Sequence, residues 1–210
     1  MMNVKEYVER LFIGEDALHT SISKVLQERN ITPKSISLEV AKTLRLLVKI
    51  AGAKKILEVG TLGGFSTINF AKALDGVGSV TSLEIDPELA QFAQSNAETA
   101  GVGSQINIRV GHALESLQQL REEQETFDLI FIDADKENYT NYLDAVIKIA
   151  QPNALIIADN ALWDYRVLDE NDQSEATIGI RSFNEKIAND SRLETMLLTI
   201  GDGLVIARLK

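Results

Sequence analysis

Residues 55–86 read KILEVGTLGGFSTINFAKALDGVGSVTSLEID, and this stretch predicts a strand–helix–strand unit. The apolar run KILEVG predicts a buried strand, FSTINFAKAL predicts a helix, and SVTSLEI predicts a second strand. Because short loops join the three elements, the strands are expected to lie parallel, with the helix as a right-handed crossover.

The same alternation continues towards the C terminus. Further strands are predicted at NIRVG (107–111), FDLIFID (127–133) and ALIIAD (154–159), with helices between them. The last two strands, LETMLLTIG (193–201) and GLVIARL (203–209), meet at GDG, which predicts a hairpin with one antiparallel strand. We therefore predict a Rossmann-like, doubly wound α/β fold: a mostly parallel seven-stranded sheet with helices on both faces.

Helices are predicted before the first strand. Apolar residues recur at helical spacing across residues 3–30, which predicts two helices, and Pro33 interrupts the pattern. A third helix, SLEVAKTLRLLVKIAG (37–52), begins after Ser37 as an N-cap and ends at Gly52. The helix predicted over 139–150 lies between two of the later strands. Since no repeat or low-complexity linker divides the chain, residues 1–210 are predicted to form a single domain.

The composition argues against several classes of site and partner. The 210 residues include no cysteine, which excludes disulfides and thiolate metal sites and suits a reducing cytoplasm. The formal net charge is −10 and no basic cluster occurs, so a nucleic-acid partner is not expected. No run of about 18 apolar residues predicts a membrane span. We expect a soluble, cytoplasmic protein.

The loop after the first strand, EVGTLGG, indicates a ligand site. Ligands of such sheets lie at the carboxyl ends of the strands, and Gly60, Gly63 and Gly64 would let the backbone approach one closely. The spacing G-x-x-G-G differs from the dinucleotide fingerprint G-x-G-x-x-G, and no G-K-[ST] follows. Glu58 would repel a pyrophosphate but suits an ammonium group. Glycine turns that serve only packing are the alternative.

The next two strand ends are consistent with a nucleoside ligand. Glu84 follows the glycine loop at about the spacing at which an acid binds ribose hydroxyls, although it could instead favour the next helix N terminus. Gly111 could admit a flat ring beside the backbone. The two histidines, His19 and His112, are expected to be packed or surface residues rather than catalysts.

The fourth and fifth strands end in oxygen donors. Asp133 ends one strand, Asp159 and Asn160 end the other, and neighbouring strands would bring the three side chains together. Carboxylate and amide oxygens are ligands for Mg²⁺, Mn²⁺ or Ca²⁺. Lys136 follows closely enough to take a proton from a bound hydroxyl group. The alternative is a set of helix caps with surface salt bridges.

Four segments together resemble a known family: ILEVGTLGGFST (56–67), VTSLEIDPE (80–88), FDLIFIDADKENY (127–139) and IIADNALWDYRV (156–167). They resemble the class I, cation-dependent O-methyltransferases that use S-adenosyl-L-methionine. The caffeoyl-CoA and catechol O-methyltransferase type is most similar, in its bacterial small-molecule branch. The match runs from about residue 36 to the end of the chain.

The resemblance implies a role for each matching residue. The methionine part of the cofactor would be held by Glu58, Gly60, Thr61, Gly64 and Ser66, the ribose by Glu84, and the adenine by Gly111 and Ala113. Asp133, Asp159 and Asn160 would bind the metal, with Mg²⁺ preferred over Mn²⁺ or Ca²⁺. Lys136 would be the general base and act with Asp133, which also borders the cofactor. The helices of residues 1–50 would cover the site, and the enzyme would be a homodimer.

The chain has three departures from the family pattern, and the third bears on the substrate. Phe65 stands where the family has tyrosine, and Ala113 stands where catechol enzymes have serine. The segments that recognise acyl-coenzyme A in plant enzymes are not recognisable, so coenzyme A esters are not expected.

The acceptor is predicted to be a small catechol-like or phenolic compound. Its mouth would be formed by Ile36 and by the loop of Trp163, Asp164 and Arg166, whose apolar and charged residues suit a flat aromatic ring. The alternative for Trp163 is packing of the loop. Three other functions remain open. One is methylation of a hydroxylated uridine in tRNA, which the acidic charge of the chain disfavours. The others are nicotinamide-dependent oxidoreduction, which the glycine spacing disfavours, and non-catalytic cofactor binding.

Overall fold

The computed structural model describes residues 3–210, apart from the side chain of Lys5. The α-helices in this range are Val4–Val8 (α1), Ala17–Glu28 (α2), Leu38–Ala51 (α3), Phe65–Ala73 (α4), Pro87–Thr99 (α5), Ala113–Glu122 (α6), Tyr139–Val146 (α7) and Glu175–Asn189 (α8). The strands are Lys55–Val59 (β1), Ser79–Glu84 (β2), Ile106–Val110 (β3), Phe127–Ile132 (β4), Ala150–Ala158 (β5), Leu193–Leu198 (β6) and Leu204–Leu209 (β7). Within residues 3–210, no helix combines the length and apolar character needed to cross a membrane.

The strands form one seven-stranded sheet in the order β3-β2-β1-β4-β5-β7-β6. Strands β1 to β5 pair in parallel, and β7 runs antiparallel to both β5 and β6. The predicted fold class, including the antiparallel hairpin, is confirmed. Because β7 runs antiparallel to β5, the start of β7 and the β6–β7 turn before it lie at the carboxyl end of β5. Strand order reverses between β1 and β4, the point at which doubly wound sheets bind ligands.

Both faces of the sheet are covered, as the alternation along β4 illustrates. Leu129 and Phe131 face the core beneath α2, α3 and α4 (the first core), whereas Ile130 and Ile132 face the core beneath α6, α7 and α8 (the second core). Successive residues of a strand point to opposite faces, so a strand buried on both sides must be apolar throughout. This explains the continuous apolar run at these positions.

The caps predicted for the third helix are confirmed. The Ser37 hydroxyl accepts a hydrogen bond from the Val40 backbone N–H at 3.2 Å, and α3 begins at the next residue. Gly52 has a φ of 63°, a left-handed conformation that glycine adopts without steric cost and that ends the helix.

The helix predicted over 139–150 is shorter in the structure. Helix α7 ends at Val146, a short 3₁₀ turn follows, and β5 already begins at Ala150. Ala150 pairs with Phe127, and the register of the two strands shifts between Phe127 and Leu129. The pairing of β5 with the irregular start of β4 therefore ends the helix earlier than the helical spacing of the apolar side chains predicts.

Candidate active site

The carboxyl ends of β1, β4 and β5 converge at one edge of the sheet. The Asp133 N–H donates to the Val59 carbonyl at 2.9 Å, and the Asp159 N–H donates to the Ile132 carbonyl at 3.1 Å. Asp133 therefore lies between the ends of its two neighbouring strands. A Cβ atom on Gly60 would lie 2.1 Å from the Asp133 carbonyl oxygen, so this approach requires glycine.

A cavity of about 420 Å³ opens beside this edge. Its size is that of a small-molecule site. The lining includes six residues that were predicted to contact a cofactor: Gly60, Thr61, Glu84, Gly111, Ala113 and Asp133.

Glu84 is held rigidly at the cavity wall. Its Oε2 accepts from the Leu62 N–H at 2.8 Å, and its Oε1 accepts from the N–H groups of Ile85 at 2.9 Å and Asp86 at 3.0 Å. Each carboxylate oxygen retains further acceptor capacity. The carboxylate is therefore fixed in place and still able to accept from a ligand hydroxyl.

Glu58 is fully buried just before the glycine loop. Its Oε2 accepts from the Ser82 hydroxyl at 2.6 Å and from the Thr67 hydroxyl. Its Oε1 is buried without a hydrogen-bond partner among the residues that the structure describes. Burial raises the pKa of Glu58 to about 7, although the nearby Ser66 hydroxyl and the two hydroxyls that bond to Oε2 act to lower it. An unpaired acceptor of this kind suits a cationic donor.

Gly64 and Ser66 lie at the start of α4. A Cβ on Gly64, whose φ is 80°, would lie 3.0 Å from the Ala93 Cβ, and one on Gly63 would lie 2.4 Å from the Ile22 side chain. Close packing by α2 and α5 therefore explains both glycines without a ligand. The Ser66 side chain is buried. Cofactor contact by Gly64 and Ser66 stays a prediction.

Lys136 is buried immediately after β4, with 7% of its surface exposed. Its Nζ donates to Asp133 Oδ1 at 3.0 Å and to the Tyr139 hydroxyl at 2.7 Å. The Tyr139 hydroxyl in turn donates to the Asp159 carbonyl at 3.2 Å. Burial, followed by the charges of Asp133 and Asp159, raises the pKa of Tyr139 well above its usual value. A neutral phenol therefore fixes the lysine amine against the end of β4.

Asp159 and Asn160 sit beside this pair. Asp159 is 4% exposed, and its Oδ1 accepts from the Asn160 N–H at 2.8 Å. Burial, and then the charge of Asp133, raises the pKa of Asp159 to about 7. The Asn160 Nδ2 donates to Asp202 Oδ2 at 3.2 Å, which commits the amide nitrogen and leaves the amide oxygen for another partner.

The donor chemistry at this edge fits a divalent cation. Across residues 3–210, the structure holds no group of three His, Cys, Asp or Glu side chains placed to bind a metal. The predicted set instead combines the carboxylates of Asp133 and Asp159 with the amide oxygen of Asn160. Hard divalent cations coordinate such oxygen atoms, and water completes the coordination shell. A cation would also offset the repulsion between the two carboxylates.

The loop after Asn160 has an unusual backbone. Trp163, Asp164 and Tyr165 have φ values of 49°, 51° and 61°, three consecutive left-handed residues. The Trp163 ring packs against the second core, and its centroid lies 5.7 Å from Lys136 Nζ and 5.8 Å from Arg166 Cζ. Trp163 therefore packs the loop and also adjoins the lysine.

The other predicted mouth residues differ in exposure. Arg166 is exposed and donates to Asp172 at 2.6 Å, whereas Asp164 is exposed with its N–H donating to Asp202. Ile36 is buried in the first core. Acceptor contact by these residues stays a prediction.

Several residues near the site were missed in the sequence. Asn138 and Tyr142 line the cavity beside Asp135, which was expected on the cofactor side or in support of the metal, and the Tyr142 hydroxyl donates to Asp135. Gly179 was also missed: a Cβ there would lie 2.4 Å from the Lys136 carbonyl oxygen, so glycine lets α8 approach the turn that contains Lys136. A glycine inside a helical pattern was the available signal. His112, predicted to be a packed or surface residue, is exposed at the cavity rim.

Comparisons with known proteins identify a family for this chain. The model of the family "O-methyltransferase" matches residues 14–210. The chain is 40% identical to catechol O-methyltransferase of Niastella koreensis, over 99% of this chain and 97% of the relative. It is 34% identical to caffeoyl-CoA O-methyltransferase 2 of Zea mays, over 86% of this chain and 74% of the relative.

A solved structure extends the likeness to three dimensions. The O-methyltransferase from Bacillus cereus, crystallised in complex with SAH, superposes with a TM-score of 0.90 at 38% identity, covering 99% of this chain and 97% of that chain. The predicted family is confirmed, and the chain belongs to the O-methyltransferase family.

Proposed function

We propose that this enzyme methylates a hydroxyl group of a small catechol-like or phenolic acceptor, with S-adenosyl-L-methionine as methyl donor and a divalent cation, Mg²⁺ in preference to Mn²⁺ or Ca²⁺. One observation carries the proposal: buried Lys136 contacts Asp133 beside Asp159, at the edge of a cavity of about 420 Å³. The names of the catechol and caffeoyl-CoA relatives support an acceptor with neighbouring oxygens.

In this proposal the methyl donor occupies the cavity. Its ammonium group would meet the unpaired oxygen of Glu58, and its ribose hydroxyls would donate to Glu84. Thr61 contributes through its backbone, because its hydroxyl already bonds to Ser82 at 2.6 Å. Gly111 and Ala113 would form the wall for the adenine ring. The SAH-bound Bacillus cereus relative supports this type of ligand.

Asp133, Asp159 and Asn160 would hold the cation. When bound, a divalent cation would lower the pKa of an acceptor hydroxyl and align its neighbouring oxygen. Lys136 would take the proton that the hydroxyl loses, and Tyr139 holds the amine in place for that transfer. Rigid placement of donor and acceptor supplies most of the remaining rate.

The acceptor would enter between Ile36 and the Trp163–Arg166 loop. Trp163 offers an aromatic face close to Lys136. We expect Trp163→Ala and Ile36→Ala to change the relative kcat/KM among catechol, caffeate and flavonoid acceptors. Unchanged selectivity in both variants would remove these residues from the acceptor site. The formal net charge of −10 gives no support to a tRNA acceptor.

The deciding experiment measures methyl transfer to catechol and, as a matched control, to monohydroxylated phenol. We expect catechol methylation with Mg²⁺, its loss in excess EDTA, and its recovery when Mg²⁺ is restored. Asp159→Ala should abolish the metal-dependent rate, whereas Asp75→Ala, an exposed acid paired with Lys49, should not. Full turnover in EDTA, or a normal rate in Asp159→Ala, would refute the metal role.

A further inference from the structure

Asp202 lies in the β6–β7 turn, yet its contacts are with the loop that follows β5. Its Oδ2 accepts from Asn160 Nδ2 at 3.2 Å, and its Oδ1 accepts from the Asp164 N–H at 2.7 Å. Its backbone carbonyl accepts from the Leu162 N–H at 2.9 Å. One residue therefore binds the predicted cation ligand and the predicted acceptor loop together.

The turn is built for this contact. Gly203, with a φ of 87°, would place a Cβ 2.6 Å from the Leu162 side chain, so only glycine permits the close approach. The Gly203 carbonyl also accepts from the Ala161 N–H at 2.9 Å. The turn is thus fastened to the start of the loop through backbone bonds that do not depend on the Asp202 side chain.

The side chain itself does two things that those backbone bonds cannot do. A carboxylate can only accept hydrogen bonds, so it selects the amide orientation in which Asn160 turns its nitrogen towards Asp202 and its oxygen away. It also accepts the N–H of Asp164, within the run of left-handed residues 163–165. Such a backbone persists only where its surroundings hold it.

We infer that Asp202 is a positioning residue, which orients the Asn160 amide oxygen for the divalent cation and fixes the acceptor loop at the same time. The inference rests on the proposed function for its cation half. Its loop half concerns the protein without any ligand.

The test is a double-mutant cycle read by Mn²⁺ binding to the metal-free protein, using isothermal titration calorimetry. Asp202→Asn should weaken Mn²⁺ binding by roughly 10–100-fold, the usual effect of removing a partner that orients a metal ligand. Asn160→Asp sets a carboxylate against Asp202 and removes the hydrogen bond between the two side chains, so its Mn²⁺ affinity measures a residue 160 that Asp202 no longer holds. The combined variant Asn160→Asp/Asp202→Asn restores a carboxylate–amide pair and should bind Mn²⁺ within about threefold of the wild type.

A second readout follows the loop without metal. Trp163 is the only tryptophan in the chain, so its fluorescence reports the loop alone. Acrylamide quenching of Trp163 should increase in Asp202→Asn. S-adenosylhomocysteine affinity and the melting temperature serve as controls for the fold, and Asp75→Asn is the control for the loss of one charge.

The outcomes separate the two proposals. If the wild type binds no Mn²⁺, the proposed metal dependence and the cation role of Asp202 both fall. If the wild type binds but Asp202→Asn binds equally well, only the positioning role falls. The positioning role also falls if the combined variant loses Mn²⁺ affinity by the product of the two single losses. It falls as well if Mn²⁺ affinity decreases only together with S-adenosylhomocysteine affinity and melting temperature. Unchanged Trp163 quenching overturns the loop half.

Discussion

Replacing Glu58 with glutamine should change how the stability of the protein depends on pH. Burial raises the pKa of this carboxyl from 4.5 to about 7 in the folded state. In the unfolded chain the group is in water and titrates near its ordinary value. Between the two values the folded protein keeps a proton that the unfolded chain has released, so raising the pH favours unfolding.

The magnitude follows from the difference between the two pKa values. About 2.5 pH units at about 1.4 kcal/mol each give ~3 kcal/mol. The contribution to stability is fully present below about pH 4.5, declines as the pH rises towards about 7, and is constant above that. Against a typical stability of ~5–15 kcal/mol, this loss is large enough to measure.

The assay is urea denaturation of wild type and Glu58→Gln at half-unit steps from pH 4.5 to 8. As the pH rises to about 7, the free energy of unfolding of the wild type minus that of the variant should fall by ~3 kcal/mol, and above that pH it should stay constant. Other titrating groups are shared and cancel in the difference. Glu194→Gln, at an exposed position on β6, is the matched control and should give a flat difference. A flat difference for Glu58→Gln as well would refute the burial argument.

The same carboxyl should govern cofactor binding. An ammonium group beside Glu58 favours the ionised form, so S-adenosylhomocysteine should bind more tightly to the wild type as the pH rises towards about 7. Glu58→Gln should bind it weakly with no such dependence. Calorimetric titrations at pH 5.5, 6.5 and 7.5 measure this, and equal pH dependence in both proteins would contradict contact with the ammonium group.

Lys136→Ala should lower kcat by roughly 10²–10⁴-fold and leave the affinity for S-adenosylhomocysteine intact. Lys136→Arg should not restore the rate, because arginine stays protonated. Near-normal turnover of the arginine variant across pH 6–9 would exclude the base role. Tyr139→Phe removes the hydroxyl that holds Lys136 and should lower kcat more than it raises KM, whereas a pure KM effect would contradict positioning. Gly179→Ala should improve helix propensity by about 1 kcal/mol yet lower activity, because its Cβ meets the Lys136 carbonyl; unchanged kinetics would show that the turn can yield.

The sequence predicted those parts of the site that lie on the sheet itself. The apolar run before Asp133 predicted a strand buried on both faces, and parallel pairing then required Asp133 and Asp159 to end side by side. Glu84 was predictable for the same reason, since it ends the strand on the other side of β1. Burial ends where the apolar run of such a strand ends, so the polar residues that follow it are placed at the edge of the sheet by the pattern alone.

Residues outside the sheet were less predictable. Asp135 and Tyr142 reach the cavity because a 3₁₀ turn precedes α7, and no local pattern distinguishes that turn from the start of a helix. The interior glycine of α8 signalled a close contact, but its partner Lys136 could only be identified once the helix was packed against the sheet.

Asp202 shows where sequence reasoning meets a physical limit. The hairpin at GDG was predicted, but a hairpin alone does not determine whether β6 or β7 pairs with β5. In the observed order β7 pairs with β5, which puts the turn at the same edge of the sheet as Asn160. With the opposite order, β6 would separate β7 from β5 in the sheet. The choice between the two orders depends on long-range packing, and so does the hydrogen bond between Asp202 and the Asn160 amide.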